Sequence, residues 1–178
     1  LLFILLFSVS VCYGQANRFA GFGSRNTCPV EALKFIDSSG ITDQTQKDAI
    51  CTLVKQLQDS ALWTKMVAVY PFVGGTASTH KWNLKNPINS DAAYRIVFFG
   101  GWTHSSNGAL PNGINAYADT RIISGVAISA SSIHFSKFNR TNDLTGNKID
   151  GTYDVNNNTF FQANYSAGNA IVGSVGSI

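Results

Sequence analysis

The chain has 178 residues, 13% of them charged and 44% hydrophobic, with a formal net charge of +3. Its basic residues are scattered from Arg18 to Lys148 without a run among them, so no stripe tracks a phosphate backbone and nucleic acid is set aside as a partner. The length suits one domain plus an extension, enough to bury a full core.

The first segment, Leu1 to Tyr13, is apolar and uncharged (LLFILLFSVSVCY). It is shorter than the roughly 20 residues that span a bilayer. It reads as the apolar region of a secretory signal occupying residues 1–14, with Cys12 and Gly14 as the small residues of a cleavage site before Gln15. A lipoprotein with Cys12 lipidated is the second reading, and a buried apolar strand or helix the third. The run opens without Met and the chain closes in Ser/Gly-rich sequence, so the sequence is taken as a piece of a longer frame. Residues 15–28, rich in Gly, Asn, Ser and Arg, read as a linker.

Residues 29–66 have the marks of a small helical unit. Pro29 fits a first turn, where a missing N–H costs nothing. Val30, Leu33 and Ile36 follow at helical spacing, and Ser38-Ser39-Gly40 is a stop. Thr42 is the expected cap of a second helix, with Asp43 in its first turn. Its apolar stripe is Ile50, Leu53, Val54 and Leu57, with Lys47, Lys55 and Gln58 on the other side. Asp59-Ser60 then caps a short turn carrying Leu62, Trp63 and Met66. Cys28 and Cys51 are placed either to form a disulfide across this helix pair, which would stabilise by roughly 3 kcal/mol, or to lie buried as free thiols. Without a CxxC pair, no zinc or redox site is indicated.

From Val67 the apolar period changes to two. Val67–Phe72, His80–Leu84, Tyr94–Phe99, Ala116–Ile122, Ser132–Asn139, Ile149–Val155, Thr159–Tyr165 and Ala170–Val175 are the strand candidates. Turn residues separate them: Gly74-Gly75, Asn86-Pro87, Gly100-Gly101, Asn107-Gly108, Pro111-Asn112-Gly113, Thr145-Gly146-Asn147 and Asn156-Asn157-Asn158. Short strands at near-regular spacing predict a mainly β fold, an antiparallel sandwich over 67–178 that is incomplete at its C-terminus.

Within this stretch LWTKMVAVYPFVGG, STHKWNLKNP and DAAYRIVFFGGWTHSSNGALPNGINAYADT carry a resemblance. Residues 41–121, and more loosely SIHFSKFNRTN beyond them, resemble a family of phage and bacterial surface proteins with a concanavalin A-like (laminin-G-like) jelly-roll sandwich. The resemblance implies a virion or tail-fibre component, or a secreted surface protein, acting in adhesion or carbohydrate binding. The leader tilts this copy toward a secreted or cell-surface address, with the virion as the alternative.

Glycosidase chemistry needs two carboxylates, and sandwich glucanases that resemble this fold use closely spaced Glu residues on one strand. The single Glu of this chain, Glu31, lies in the helical unit. Asp91, Asp119, Asp143, Asp150 and Asp154 form no such cluster. A non-enzymatic module is therefore expected. A polysaccharide hydrolase, with Asp119 as the residue to test, is a lesser alternative, and an architectural virion or filament protein without a ligand is another. His80, His104 and His134 show no HxH or HExxH spacing, and Ser105 and Ser106 beside His104 lack a nucleophile elbow. They read as hydrogen-bonded or surface residues.

Asp154, Asn156 and Asn158 open like a calcium loop, but Thr159 stands where Gly is needed and Tyr165 where Glu is. The segment reads as an Asn-rich hairpin or as an irregular calcium site of Asp143, Asn147, Asp150 and Asp154. Calcium is the one cofactor the sequence raises. For sugar contact the loop 100–115 and its exit offer flat rings and amides: Trp102, His104, Asn107, Asn112, Asn115, Tyr117 and Asp119. Trp82, in an alternating strand, is expected in the core. The expected partners are cell-surface or envelope glycans, or proteins of a surface assembly, with no transmembrane span in the mature chain.

Overall fold

The computed structural model describes residues 27–123, residues 126, 127, 134, 136 and 138, and the strands 149–152, 159–165 and 170–175, these strands as backbone. Helix α1 spans Val30–Ser39 and α2 spans Gln44–Asp59. The chain enters α1 through the Pro29 carbonyl, which accepts the Leu33 N–H at 3.1 Å. It leaves at Gly40, whose φ of 68° is the left-handed exit that glycine adopts without strain. The buried face of α1 is Ala32, Phe35 and Ser39, while Val30 and Leu33 are 58% and 51% exposed. The stripe read from the sequence is therefore rotated. Residues 32, 35 and 39 satisfy helical spacing equally well, and the bulk of Phe35 makes that face the better one to bury.

Helix α2 is capped by Asp43, not Thr42: the Asp43 carboxylate accepts the Gln46 N–H at 2.8 Å. Ile50 and Val54 are buried as expected, with Leu53 packed beside them. Cys28 and Cys51 are joined by a disulfide that pins the entry of α1 to the middle of α2. Gln58 Nε2 adds a bond to Glu31 Oε2 at 3.0 Å. The expected Asp59-Ser60 cap is not made. Asp59 pairs instead with Lys55 one turn back, and the 3-10 turn Trp63–Lys65 has no side-chain cap.

The core does not stop at residue 66. Leu84, fully buried, belongs to the cluster of Ala32, Phe35, Ile41, Ile50 and Val54, and Trp63, Val69, Val73 and Trp82 pack against it. Trp82 thus lies at the core's edge, but not in a strand. Neither Val67–Phe72 nor His80–Leu84 forms a strand ladder. Thr76 and Thr79 cap each other reciprocally and wind Ala77–His80 into a short helix, α3. Beyond it, the buried Asn83 amide takes the place of a partner strand. Its Oδ1 accepts the Val69 and Lys85 N–H groups, each at 3.0 Å, and its Nδ2 donates to the Ala93 carbonyl at 3.0 Å. The backbone bond from Leu84 N–H to the Val69 carbonyl completes the joint.

A second 3-10 turn, Asp91–Ala93, leads to β1 (Val97–Phe99), β2 (Trp102–Ser105), β3 (Gly108–Pro111) and β4 (Tyr117–Asp119). β1 pairs antiparallel with β4, Phe99 opposite Tyr117 and Val97 opposite Asp119. β2 and β3 form a hairpin, Trp102 opposite Pro111 and Ser105 opposite Gly108. The stretch read as one long loop, 100–115, thus holds the whole of this hairpin. β1 and β4 are shorter than expected because Tyr94 and Arg121 adopt left-handed φ of 58° and 60°, which ends extended pairing. β5 (Ile149–Thr152), β6 (Thr159–Tyr165) and β7 (Ala170–Val175) make an antiparallel meander, β6 and β7 with the bounds expected. Of the candidate strand Ser132–Asn139 only residues 134, 136 and 138 are described, and none of these three is assigned to a strand. The architecture is thus short helices followed by small antiparallel sheets, with no closed barrel among the described residues. No helix among the described residues is long and apolar enough to cross a membrane.

Candidate functional site

Two glycines let the β1–β4 ribbon and the β2–β3 hairpin cross closely. A Cβ on Gly100 would collide with the Asn115 carbonyl, and one on Gly101 with the Asn112 amide. Asn112 Oδ1 gathers the backbone N–H groups of Ile114, Asn115 and Ala116. Asn112 Nδ2 donates to Asn115 Oδ1 at 2.8 Å, and that same oxygen accepts the Gly101 N–H. Both amides thus help to build the loop, and both residues stay exposed. Trp102 is committed as well. Its indole N–H is shared between the Phe99 and Tyr117 carbonyls, at 3.0 and 3.2 Å, and its half-buried ring meets Phe98 edge-on. Asn107 sits exposed in the hairpin turn, its backbone N–H on Ser105 Oγ.

The pleat of the β1–β4 ribbon separates two surfaces. Phe98 turns to one side, where it meets Phe72, Trp102 and His104. Phe99 and Tyr117 turn to the other and stack face to face, centroids 4.6 Å apart and planes within 10°. Tyr117 remains 59% exposed, so one face of its ring rests on Phe99 and the ring is open to solvent.

Asp119 lies two residues along the strand from Tyr117 and on the same face. Its carboxylate accepts the Arg121 N–H at 2.7 Å and pairs with the Arg121 guanidinium at 2.9 Å. Arg121 reaches on to Asp91 at 3.6 Å. The other Asp91 oxygen holds Arg95 Nε at 3.0 Å, and Arg95 Nη1 donates to Asn89 Oδ1. The result is a row of alternating charge beside an open aromatic ring. The sequence offers Asp91 only as one of several scattered carboxylates and does not single out Phe99, Arg95 or Arg121. Their sequence signal was modest: the i, i+4 spacing of Asp91 and Arg95, and the alternation that puts Tyr117 and Asp119 on one face. Tyr70 braces the row from beneath. Its hydroxyl donates to the Tyr94 carbonyl, and burial raises its pKa.

On the inner side of the hairpin the fold joins two histidines that are distant in sequence. His80, 1% exposed at the end of α3, faces His104 of β2, Nδ1 to Nδ1 at 2.9 Å. The Gly75 N–H donates to His80 Nε2 at 3.2 Å, so that nitrogen is bare and the His80 proton sits on Nδ1. His104 accepts it and carries its own proton on Nε2. Burial, and secondarily His104, push His80 down to about 4; burial lowers His104 as well. His104 is thus a packing and hydrogen-bonding partner of His80. His134 is exposed. Beside the pair, a cleft of about 350 Å³ opens between the α1–α2 connection and the Gly74-Gly75 bend, lined among others by Asp43, Gln46 and Ser106.

Among the described residues no group of three or more His, Cys, Asp or Glu side chains converges as a metal site. Asp143, Asn147 and Asp154 of the calcium reading lie outside the described residues, and Asp150 is in β5, opposite Phe161. Comparison with protein-family models, with curated proteins and with solved structures gives no match.

Proposed function

We propose that this chain is a non-enzymatic module for adhesion or glycan binding, exported to the cell surface or carried on a virion. One observation carries the reading: the Tyr117 ring, backed by Phe99 and open outward, next to the Asp119–Arg121–Asp91–Arg95 row. A flat ring of this kind takes the C–H face of a pyranose, and charged side chains at its rim take hydroxyls through charge-assisted hydrogen bonds. The Cys28–Cys51 disulfide and the apolar leader support export, since such bonds persist in oxidising compartments. We take residues 67–178 to belong to a concanavalin A-like sandwich, with β1–β4 and the β5–β7 meander as parts of its antiparallel sheets. Calcium at Asp143, Asn147, Asp150 and Asp154 belongs to the same reading.

The test is an array of glycans and cell-envelope fractions probed with the full chain, its fold verified by circular dichroism. Binding that Tyr117→Ala lowers at least about tenfold, with the fold intact, supports the reading; no binding by folded protein sinks it. A second reading, an architectural virion or filament protein, is favoured by the apolar side chains at the hairpin end, Leu110 at 56% and Ile114 at 89% exposure. Ordered oligomers by size exclusion and electron microscopy, without glycan binding, would select it.

A further inference from the structure

The joint between the Gly74-Gly75 bend and the β2–β3 hairpin is closed by two imidazoles whose basic nitrogens are already filled. His80 Nε2 holds the Gly75 N–H, and His104 Nδ1 holds the His80 N–H. An added proton finds no vacant lone pair. On His80 Nε2 it would oppose the Gly75 N–H; on His104 Nδ1 it would oppose the His80 N–H. Either position replaces a hydrogen bond across the joint with two donors facing each other. We infer that the His80–His104 pair is an acid-released latch holding the glycine bend and α3 to the hairpin.

Among the described residues, the surroundings offer a charge nothing to rest on. Phe72 meets the His80 ring at 5.5 Å; Phe98 and Trp102 meet the His104 ring at 4.7 and 6.3 Å. Burial and, secondarily, His104 lower the His80 pKa, and burial lowers that of His104. Among the described residues neither imidazole joins an ion pair. The charged neighbours are engaged elsewhere: Lys81 over the Trp82 ring, Arg95 on Asp91, and Asp43 on the Gln46 N–H across the cleft. A cation held between the two Nδ1 atoms is disfavoured by the same geometry, because it would move the His80 proton to Nε2, against the Gly75 N–H. Release would widen the cleft, since Gly75 and Ser106 are among its walls and nearly touch.

The experiment is a titration of the full chain, reading imidazole tautomers by long-range nitrogen–proton NMR and Gly75 amide exchange corrected for its intrinsic rate. At about pH 7.5 the expected forms are Nδ1–H on His80 and Nε2–H on His104. Gly75 protection is expected to fall about tenfold or more on acidification to about pH 4, in step with His80. His80→Phe, which fills the space but leaves the Gly75 N–H without its acceptor, is expected to flatten that dependence. The inference is overturned by an Nε2–H tautomer on His80, by Gly75 protection that acid leaves unchanged, or by full pH dependence in folded His80→Phe. The first two readouts come from the natural chain, so a variant that does not fold still leaves a decision.

Discussion

Asn83→Ala removes the amide that stands in for a strand between residues 69 and 93. The side chain is 1% exposed and makes three hydrogen bonds to backbone: from Val69 N–H, from Lys85 N–H and to the Ala93 carbonyl. A buried polar group left without a partner costs about 1–3 kcal/mol. Ala93 is itself 1% exposed, so its carbonyl is expected to lose near the top of that range. The Val69 and Lys85 amides are half-buried and regain some water, so the sum is about 3–5 kcal/mol. Urea denaturation of the full chain, followed by circular dichroism, measures it. Asn86→Ala, at an exposed position three residues on, is the control and should change stability by less than about 0.5 kcal/mol. A loss below about 1 kcal/mol for Asn83→Ala would refute the idea that the amide replaces a ladder. The Asn83–Ala93 bond also ties down the Asp91–Ala93 turn, so the same variant should weaken any ligand binding at Tyr117.

Reduction of the Cys28–Cys51 disulfide should cost about 3 kcal/mol in the chain-entropy model, read as a lower urea midpoint in reductant; an unchanged midpoint would contradict the bond. Acid should destabilise the fold through His80. Its folded pKa of about 4 lies below the ordinary 6.5, so the unfolded chain binds more protons, and stability is lost as pH falls from about 6.5 through 4, by up to about 3 kcal/mol. His80→Asn should remove that part of the pH dependence of the urea midpoint, and a parallel slope in the variant would count against it. Gly100→Ala should destabilise by about 2 kcal/mol or more, because a Cβ at a φ of 75° is strained and meets the Asn115 carbonyl; a neutral result in thermal unfolding would show that the two ribbons separate there easily.

The helices were legible because α2 carries its signals in order: Thr42-Asp43 at the entry, though the cap falls one residue later than expected, Ile50 and Val54 one turn apart, and a polar opposite face. The face of α1 was not, since its residues satisfy two helical stripes and only packing on Ile50 and Val54 chooses between them. β6 and β7 could be read from apolar runs between turn residues. Val67–Phe72 and His80–Leu84 misled because alternation says that a segment is extended, not that backbone groups of a neighbour satisfy it. There a side-chain amide does so, and the Thr76/Thr79 capping box converts Ala77–His80 into a helical turn. The candidate site shows the same limit. Trp102, Asn112 and Asn115 have the chemistry of sugar contacts, yet the tight crossing at Gly100-Gly101 uses their polar groups internally. Strand alternation turns Tyr117 and Asp119 outward together, the ring open to solvent and the carboxylate engaged by Arg121.

The shared burial of Leu84 with Phe35 and Val54 bears on how such a chain can be inherited. A break in the gene at residue 66 would divide one hydrophobic cluster between two products, each left with an exposed apolar surface. Recombination that moves the strands into a new protein must carry α1, α2 and their disulfide along. A piece that keeps this core whole includes Cys28 and both helices, which pack as part of it rather than as a detachable adaptor.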